Sequence, residues 1–226
     1  MSRVLIVGAG GHAQVVADIL LRVHEQDASV QPIGYVDDSL ALQGKQFLTL
    51  PVLGTIDQVS TIAHDAVIVA IGDNRTRQRL FETLYQQGER FVVARHPSAI
   101  VAPDVEIGPG SMICAGAIIN PGSTVGTNVI LNTACTADHH NHIAAHAHIA
   151  PGVHLGGEVT VGSGALIGIG ATVMPGCHIG ALSVIGAGAV VIHDIPDGTT
   201  AVGVPARALA TPLSTTASSP PPCRQP

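Results

Sequence analysis

The chain has 226 residues, enough for one large domain or two small ones, and 46% of them are hydrophobic against 12% charged, so a core is readily buried. A net charge of −6 leaves no basic stripe for nucleic acid, and the aromatic–basic interleaving of single-strand binders is missing. No apolar run reaches membrane-spanning length, so neither a nucleic acid nor a membrane is an expected partner.

The opening MSRVLIVGAGG reads as a buried strand over residues 4–7 running into a glycine turn, not as a secretion signal. Helical spacing follows over 12–24, strands over 33–37 and 66–71, a helix over 74–87, and a strand over 91–94. Short apolar strands alternating with helices predict a small parallel α/β unit, placed at residues 1–94.

After Arg95 the helical signal stops and a period of six begins. Fifteen hexads run without insertion from Val101 to Val190, as in INPGST, VGTNVI, LNTACT, ADHHNH and IAAHAH. Fourteen start with Val, Ile or Leu, and the exception is Ala137. Such a period means a solenoid in which each repeat buries its aliphatic residue against its neighbours. The physical reading is a triangular coil, a left-handed parallel β-helix in which three hexads close a turn and residues 18 apart stack. With two Tyr, three Phe and no Trp, the core relies on Val, Ile, Leu and Ala, which suits thin regular layers. This unit is assigned to residues 95–209, and the Pro/Ser/Thr-rich tail 210–226 is expected to be disordered. Cys114, Cys135, Cys177 and Cys223 are widely spaced with no CxxC pair, which fits free thiols in a reducing cytoplasm.

Uninterrupted hexads followed by G-V-P-A-R at 203–207 resemble the hexapeptide-repeat acyltransferases. The N-terminal VLIVGAGGHAQVV, YVDD at 35–38 and VAIGDNRTRQRL at 69–80 narrow the match to the sugar acetyltransferases of bacillosamine, perosamine and sialic acid biosynthesis. The resemblance covers about residues 3–209. It implies a homotrimer with acetyl-CoA, the co-substrate, in grooves between neighbouring subunits and a nucleotide-linked amino sugar on the N-terminal domain. The acceptor is typically an amine and, in the sialic acid branch, a hydroxyl.

Gly8-Ala9-Gly10-Gly11-His12-Ala13 satisfies G-x-G-x-x-A between a strand and a helix, so its N–H groups could cradle a phosphate. A dinucleotide site needs two mononucleotide halves, and some 90 residues supply about one, so a nucleotide or nucleotide-sugar fits better than NAD. A glycine turn that merely permits close packing is the plain alternative. By resemblance, Gly10, Gly11, His12, Asp37, Asp38 and Gly72 meet the nucleotide-sugar; Asp37 and Asp38 otherwise read as turn residues.

Half of the twelve histidines fall between His139 and His154. One could be the general base that removes the proton from an attacking amine or hydroxyl, for which an imidazole is suited near neutral pH. A zinc site is a second reading, but no two histidines show the H-x4-H spacing of related trimeric β-helices, and no metal is expected. Solvated corner positions are the third, applied to His142, His146, His154 and His178. The resemblance places the base at His139, and His148, Gly157, Ile169 and Ala187 along the acetyl-CoA groove. A backbone N–H near Gly157 is the expected donor to the thioester carbonyl. Bacillosamine-type relatives have a glutamate after the base, where this chain has His140; a neutral imidazole orients its neighbour without supplying charge. Asp138, on the other side, is the alternative partner. The reading is direct N-acetyl transfer to a nucleotide-linked amino sugar. Sugar O-acetylation and a non-catalytic nucleotide-sugar-binding scaffold are the alternatives.

Overall fold

The computed structural model describes residues 1–209; the tail 210–226, with Cys223, lies outside the described residues. Residues Val4–Val7 are completely buried, as expected of a parallel strand covered on both faces, and form most of β1 (Ser2–Val7). Then come α1 (Gly11–Asp27), β2 (Val30–Val36), β3 (Gln46–Phe47), β4 (Leu50–Gly54), a 3-10 turn (Ile56–Thr61), β5 (Ala66–Val69) and α2 (Asn74–Gln86). The sheet order is β3-β4-β2-β1-β5, parallel except for the edge strand β3. Strands β4-β2-β1-β5 reproduce the first half of a doubly wound sheet, whose strand order reverses beside β1. The chain then leaves the sheet instead of building a second half.

The β3–β4 hairpin and the 3-10 turn were not legible as elements: β3 has only two residues, and Pro51 and Gly54 mask β4 as a strand. The strand expected over 91–94 does not form. Phe91 makes one isolated bridge to Val67, and the Ala94 N–H already donates to Ser111 O of the first coil, so the β-helix captures this segment.

From Ala94–Arg95 to Val190–Val191 a two-residue strand recurs every six residues, and each as far as Thr172–Val173 pairs in parallel with the strand 18 residues on. These make three faces. The first contains Thr136–Ala137, the second His142–Ile143 and the third His148–Ile149. The second residue of each strand points inward, so that Leu131, Ala137, Ile143 and Ile149 belong to one continuous buried column. The first residue points outward, and on the third face Ala94, Met112 and Ile130 are buried against Val16 and Leu20 of α1. The α/β unit therefore sits on the third face and shares a core with it. Among the described residues, no helix is long and apolar enough to cross a membrane. Cys114, Cys135 and Cys177 are buried and form no disulfide among the described residues, and burial pushes Cys114 and Cys135 up to about 12.

Arg77 fixes the two units together. It is fully buried on the face of α2 that also carries Phe81 and Leu84. Its guanidinium donates to Asn128 O (3.1 Å) and His146 O (2.7 Å) of the β-helix, and to Ile71 O (3.2 Å) and Gly72 O (3.3 Å) after β5. A fifth bond goes to Asn74 Oδ1 at 2.9 Å, and the Asn74 amide in turn donates to Gly164 O. Burial lowers the Arg77 pKa to about 10, with Asp73 acting in the opposite sense, so the cation persists on neutral acceptors alone. Arg77→Met would strand several buried carbonyls and should destabilise the fold by about 3 kcal/mol or more in urea unfolding. A loss within about 0.5 kcal/mol, the level of a surface change, would contradict this role.

Candidate functional site

The loops after β1, β2 and β5 meet where the strand order reverses, the usual ligand crevice of such a sheet. Gly10, Gly11 and Gly72 border open space there: a Cβ placed on any of them would have no atom within 4 Å. Asp37 is already committed to the loops: its carboxylate accepts from Ala9 N–H and from Ser39 N–H, each at 2.8 Å. Asp38 accepts from Ile56 N–H at 2.9 Å. Both carboxylates thus hold the crevice in shape, which is the turn role the sequence allowed.

His12, on the first turn of α1, faces His148 of the third face, with ring centroids 6.3 Å apart. Asn132 Oδ1 accepts from Thr133 N–H, which turns the Asn132 amide toward His148 Nε2 at 3.1 Å. His148 Nε2 is therefore an acceptor, its proton sits on Nδ1, and a hydrogen bond joins it to the Gly72 backbone. Burial, reinforced by the Arg77 charge, lowers the pKa of both His12 and His148 to about 4. His12 Nε2 is buried without a partner among the described residues. Alongside runs a cleft of about 360 Å³, between the start of α2 (Asp73, Asn74, Arg75) and Leu166, Leu182 and Val184 of the β-helix.

His139 and His140 lie elsewhere, at the corner between the first and second faces. Stacking by 18 residues places His139 on Gly157 and His140 on Gly122. A Cβ at Gly157 would stand 2.5 Å from His139 Cε1, and one at Gly122 would stand 2.6 Å from His140 Cδ2. Either glycine replaced by alanine would displace an imidazole. The two Nδ1 atoms are 3.1 Å apart with the rings at 77°, so one must donate and the other accept. Asp138 does not orient His139: its carboxylate accepts from Asn120 Nδ2 (3.0 Å) and His139 N–H (2.9 Å), which holds it below the usual carboxylate range. Gly156 N–H is spent on Val173 O and Glu158 N–H on His139 O; Gly157 N–H, between them, has no acceptor among the described residues.

Ile169 and Ala187 stack one coil apart at a third place, the corner between the third and first faces, and Ile169 is 62% exposed. One chain thus unites Gly10, Gly11, His12, Gly72 and His148, separately unites His139, His140 and Gly157, and keeps these groups on different sides of the prism. His142, His154 and His178 are exposed on strands rather than at corners. His146 corrects the solvated-corner reading: it is buried, bonded to Asn128 (2.9 Å) and packed edge-on to Phe81. Among the described residues no three His, Cys, Asp or Glu side chains converge on a common point. Arg77 and Asn132 were missed by sequence reasoning. The i, i+4, i+7 spacing of Arg77, Phe81 and Leu84 was the available signal for the first.

Residues 3–84 match the PglD N-terminal domain, and residues 158–193 match the bacterial transferase hexapeptide (six repeats). The UDP-N-acetylbacillosamine N-acetyltransferase of Bacillus subtilis is 37% identical over 117 residues, 51% of this chain and 52% of that protein. The chain thus matches about half the length, or less, of its curated relatives. Among solved structures, the acetyltransferase domain of PglB from Neisseria gonorrhoeae is 36% identical, with a TM-score of 0.86 over 92% of this chain and 100% of that one. A GDP-perosamine N-acetyltransferase mutant from Caulobacter crescentus, in complex with CoA and GDP-perosamine, is 38% identical, with a TM-score of 0.85 over 93% and 98%.

The lowered pKa values have a consequence for stability. Unfolded histidine binds its proton near pH 6.5, whereas His12 and His148 in the fold do so only near 4. The unfolded state therefore holds more protons in this window, and their contribution, complete above 6.5, is lost as pH falls toward 4. Urea unfolding should show stability declining from pH 6.5 to 4, with a flatter decline in His148→Gln. An unchanged slope in that variant would show that His148 is not held neutral.

Proposed function

The chain belongs to the hexapeptide-repeat sugar N-acetyltransferases of the bacillosamine and perosamine type, and on that premise we propose that it acetylates the amine of a nucleotide-linked amino sugar, using acetyl-CoA. The observation that carries this reading is the His139–His140 pair on a corner opened by two glycines.

The chemistry requires a base for the amine proton. If His139 Nδ1–H donates to His140 Nδ1, the lone pair of His139 Nε2 is free to take that proton. The same bond persists when His139 becomes a cation, so His140 orients the base without a change of tautomer. It brings no negative charge, unlike the glutamate expected from the bacillosamine-type pattern. Acetyl-CoA supplies the acetyl group as an activated thioester, and His148, Gly157, Ile169 and Ala187 are the residues that would hold it. The unengaged Gly157 N–H is the donor available to the acetyl carbonyl. Exposed Ile169 beside Ala187 suits the alkyl segments of the pantetheine arm. Gly10, Gly11, His12 and Gly72 would seat the nucleotide-sugar, in the space those glycines leave open.

The acting unit in this reading is a homotrimer. The base corner and the crevice are on different sides of one prism, and a neighbour's corner set against the crevice supplies what a single chain lacks. A cytoplasmic setting belongs to this reading, and the three buried thiols without a disulfide among the described residues support it.

Thiol release from acetyl-CoA, measured with UDP-, GDP- and dTDP-linked amino sugars, tests the assignment. One sugar should support turnover, and His139→Ala should reduce it by about 10²–10⁴-fold. Full turnover in that variant would remove His139 as the base.

A further inference from the structure

The hexad that carries His139 departs from the other fourteen at its fifth position as well as its first. That fifth position is Val, Ala, Ser or Cys in every other hexad from Val101 to Val190, and here it is Asn141. The side chain is 1% exposed, and its Oδ1 is buried without a partner among the described residues. A buried amide oxygen left unpaired costs stability, and a plain hexad needs no amide at this place. The amide must therefore do something that the small side chains of the other hexads do not.

Asn141 Nδ2 donates to two backbone carbonyls, Asp138 O in its own coil and Gly156 O, 3.0 Å away, in the next. Both are acceptors, so the nitrogen end of the amide is the one that must face them. Elsewhere a serine does half of this. Ser183 Oγ donates to Gly180 O in its own coil, and Ser111 Oγ donates to Gly126 O in the next. A hydroxyl has one proton and an amide has two, so Asn141 makes both bonds at once. The carbonyls it holds belong to the peptide units that end in His139 N–H and Gly157 N–H. A peptide unit is planar and trans, so fixing its C=O also fixes the opposite direction of its N–H. Gly156 and Gly157 need this most. The close approach of Pro175 and of His139 leaves no room for a Cβ on either, and two successive glycines turn freely unless held. Among the described residues Gly156 O accepts from Asn141 alone, whereas Asp138 O also accepts from Ser123 Oγ at 3.0 Å.

We propose that Asn141 is a positioning residue for acetyl transfer: its buried amide ties the peptide before His139 to the peptide before Gly157, and so sets the base against the N–H that meets the acetyl carbonyl. This rests on the transfer reading above. In that transfer the amine nitrogen bonds to the acetyl carbon and its proton passes to His139. The C–S bond then breaks with its electron pair on sulfur, and the thiolate takes up a proton. The acetyl oxygen carries negative charge in between, when it is held by Gly157 N–H. The bond from Asn141 to Gly156 O and the bond from Gly157 N–H to the acetyl oxygen run through one peptide unit, so each polarises the other. Being buried, Asn141 meets neither substrate, and its loss falls on the rate of transfer and not on binding.

Thiol release with the amino sugar that the wild-type chain accepts is the measurement, paired with urea unfolding of each variant. Asn141→Val brings in the side chain found at the same buried place in Val129, Val153 and Val159, and Asn141→Ala brings in that of Ala147 and Ala165. Both lack the two protons. Each should lower kcat about 10–10²-fold, the loss expected when reacting groups sit about 1 Å out of place, with the KM for both substrates within about twofold. Asn141→Ser, which restores one proton, should recover part of kcat. Ser183→Ala removes a buried bond of the same kind at another corner and should leave kcat unchanged. Wild-type kcat in Asn141→Val or Asn141→Ala would overturn the proposal. So would a loss carried by KM, a loss that differs between the two variants in step with their unfolding midpoints, or an equal loss in Ser183→Ala. A wild-type chain that releases no thiol with any amino sugar would instead overturn the transfer reading on which the proposal rests.

Discussion

Through the hexads of the β-helix each residue rests on the one eighteen places before it, because three hexads close a coil and the aliphatic residue of each hexad must point inward. The backbone hydrogen bonds and the buried column enforce the same register, so a one-residue slip would carry the aliphatic residues to the outside. All the chemistry at the corners inherits this spacing. Gly157 is where His139 needs room, Gly122 is where His140 needs it, and Asn128 meets His146. The same rule separates the groups: His139 and His140 stack at one corner while His148 lies on the third face, and no side-chain motion within one chain reunites them.

The α/β unit adds a second constraint through Arg77. Its guanidinium ties the loop after β5 to two coils at once, and its charge reaches the two histidines at the crevice. A buried cation surrounded by carbonyl oxygens favours neutral imidazoles beside it. His148 is consequently a hydrogen-bonding group with a defined tautomer, while His139 and His140 are exposed at their corner and bonded to each other. The two histidine pairs differ in environment, and so in what they can do.

Much of this was legible in the sequence, for reasons that differ by region. An unbroken period of six fixes the register of the β-helix, and the one hexad led by Ala137 is followed at once by Asp138 and His139. The stacking of His139 on Gly157 was implicit in that period. The α/β unit was read in outline, but β3 is too short for a periodic signal and β4 carries Pro51 and Gly54, which speak against a strand. The segment after Arg90 has strand-like residues yet is claimed by the first coil, a tertiary effect that local pattern does not contain. Arg77 and His146 look like surface residues by type. Their burial follows from the packing of α2 on the third face, which only the assembled fold reveals. Asp138 was a reasonable partner for His139 by proximity in sequence, but Asn120, one coil away, takes its carboxylate.

The central claim is that a working site needs the corner of one copy and the crevice of another. Co-expression of differently tagged His139→Ala and His148→Ala chains, each expected to lose activity alone, tests it directly. If every site draws its base from a neighbour, random mixing of the two chains into trimers leaves about one quarter of the sites with both wild-type halves. Activity near that fraction in the purified mixed trimers is the predicted result. Mixed trimers as inactive as their parents would mean that each chain builds its site alone.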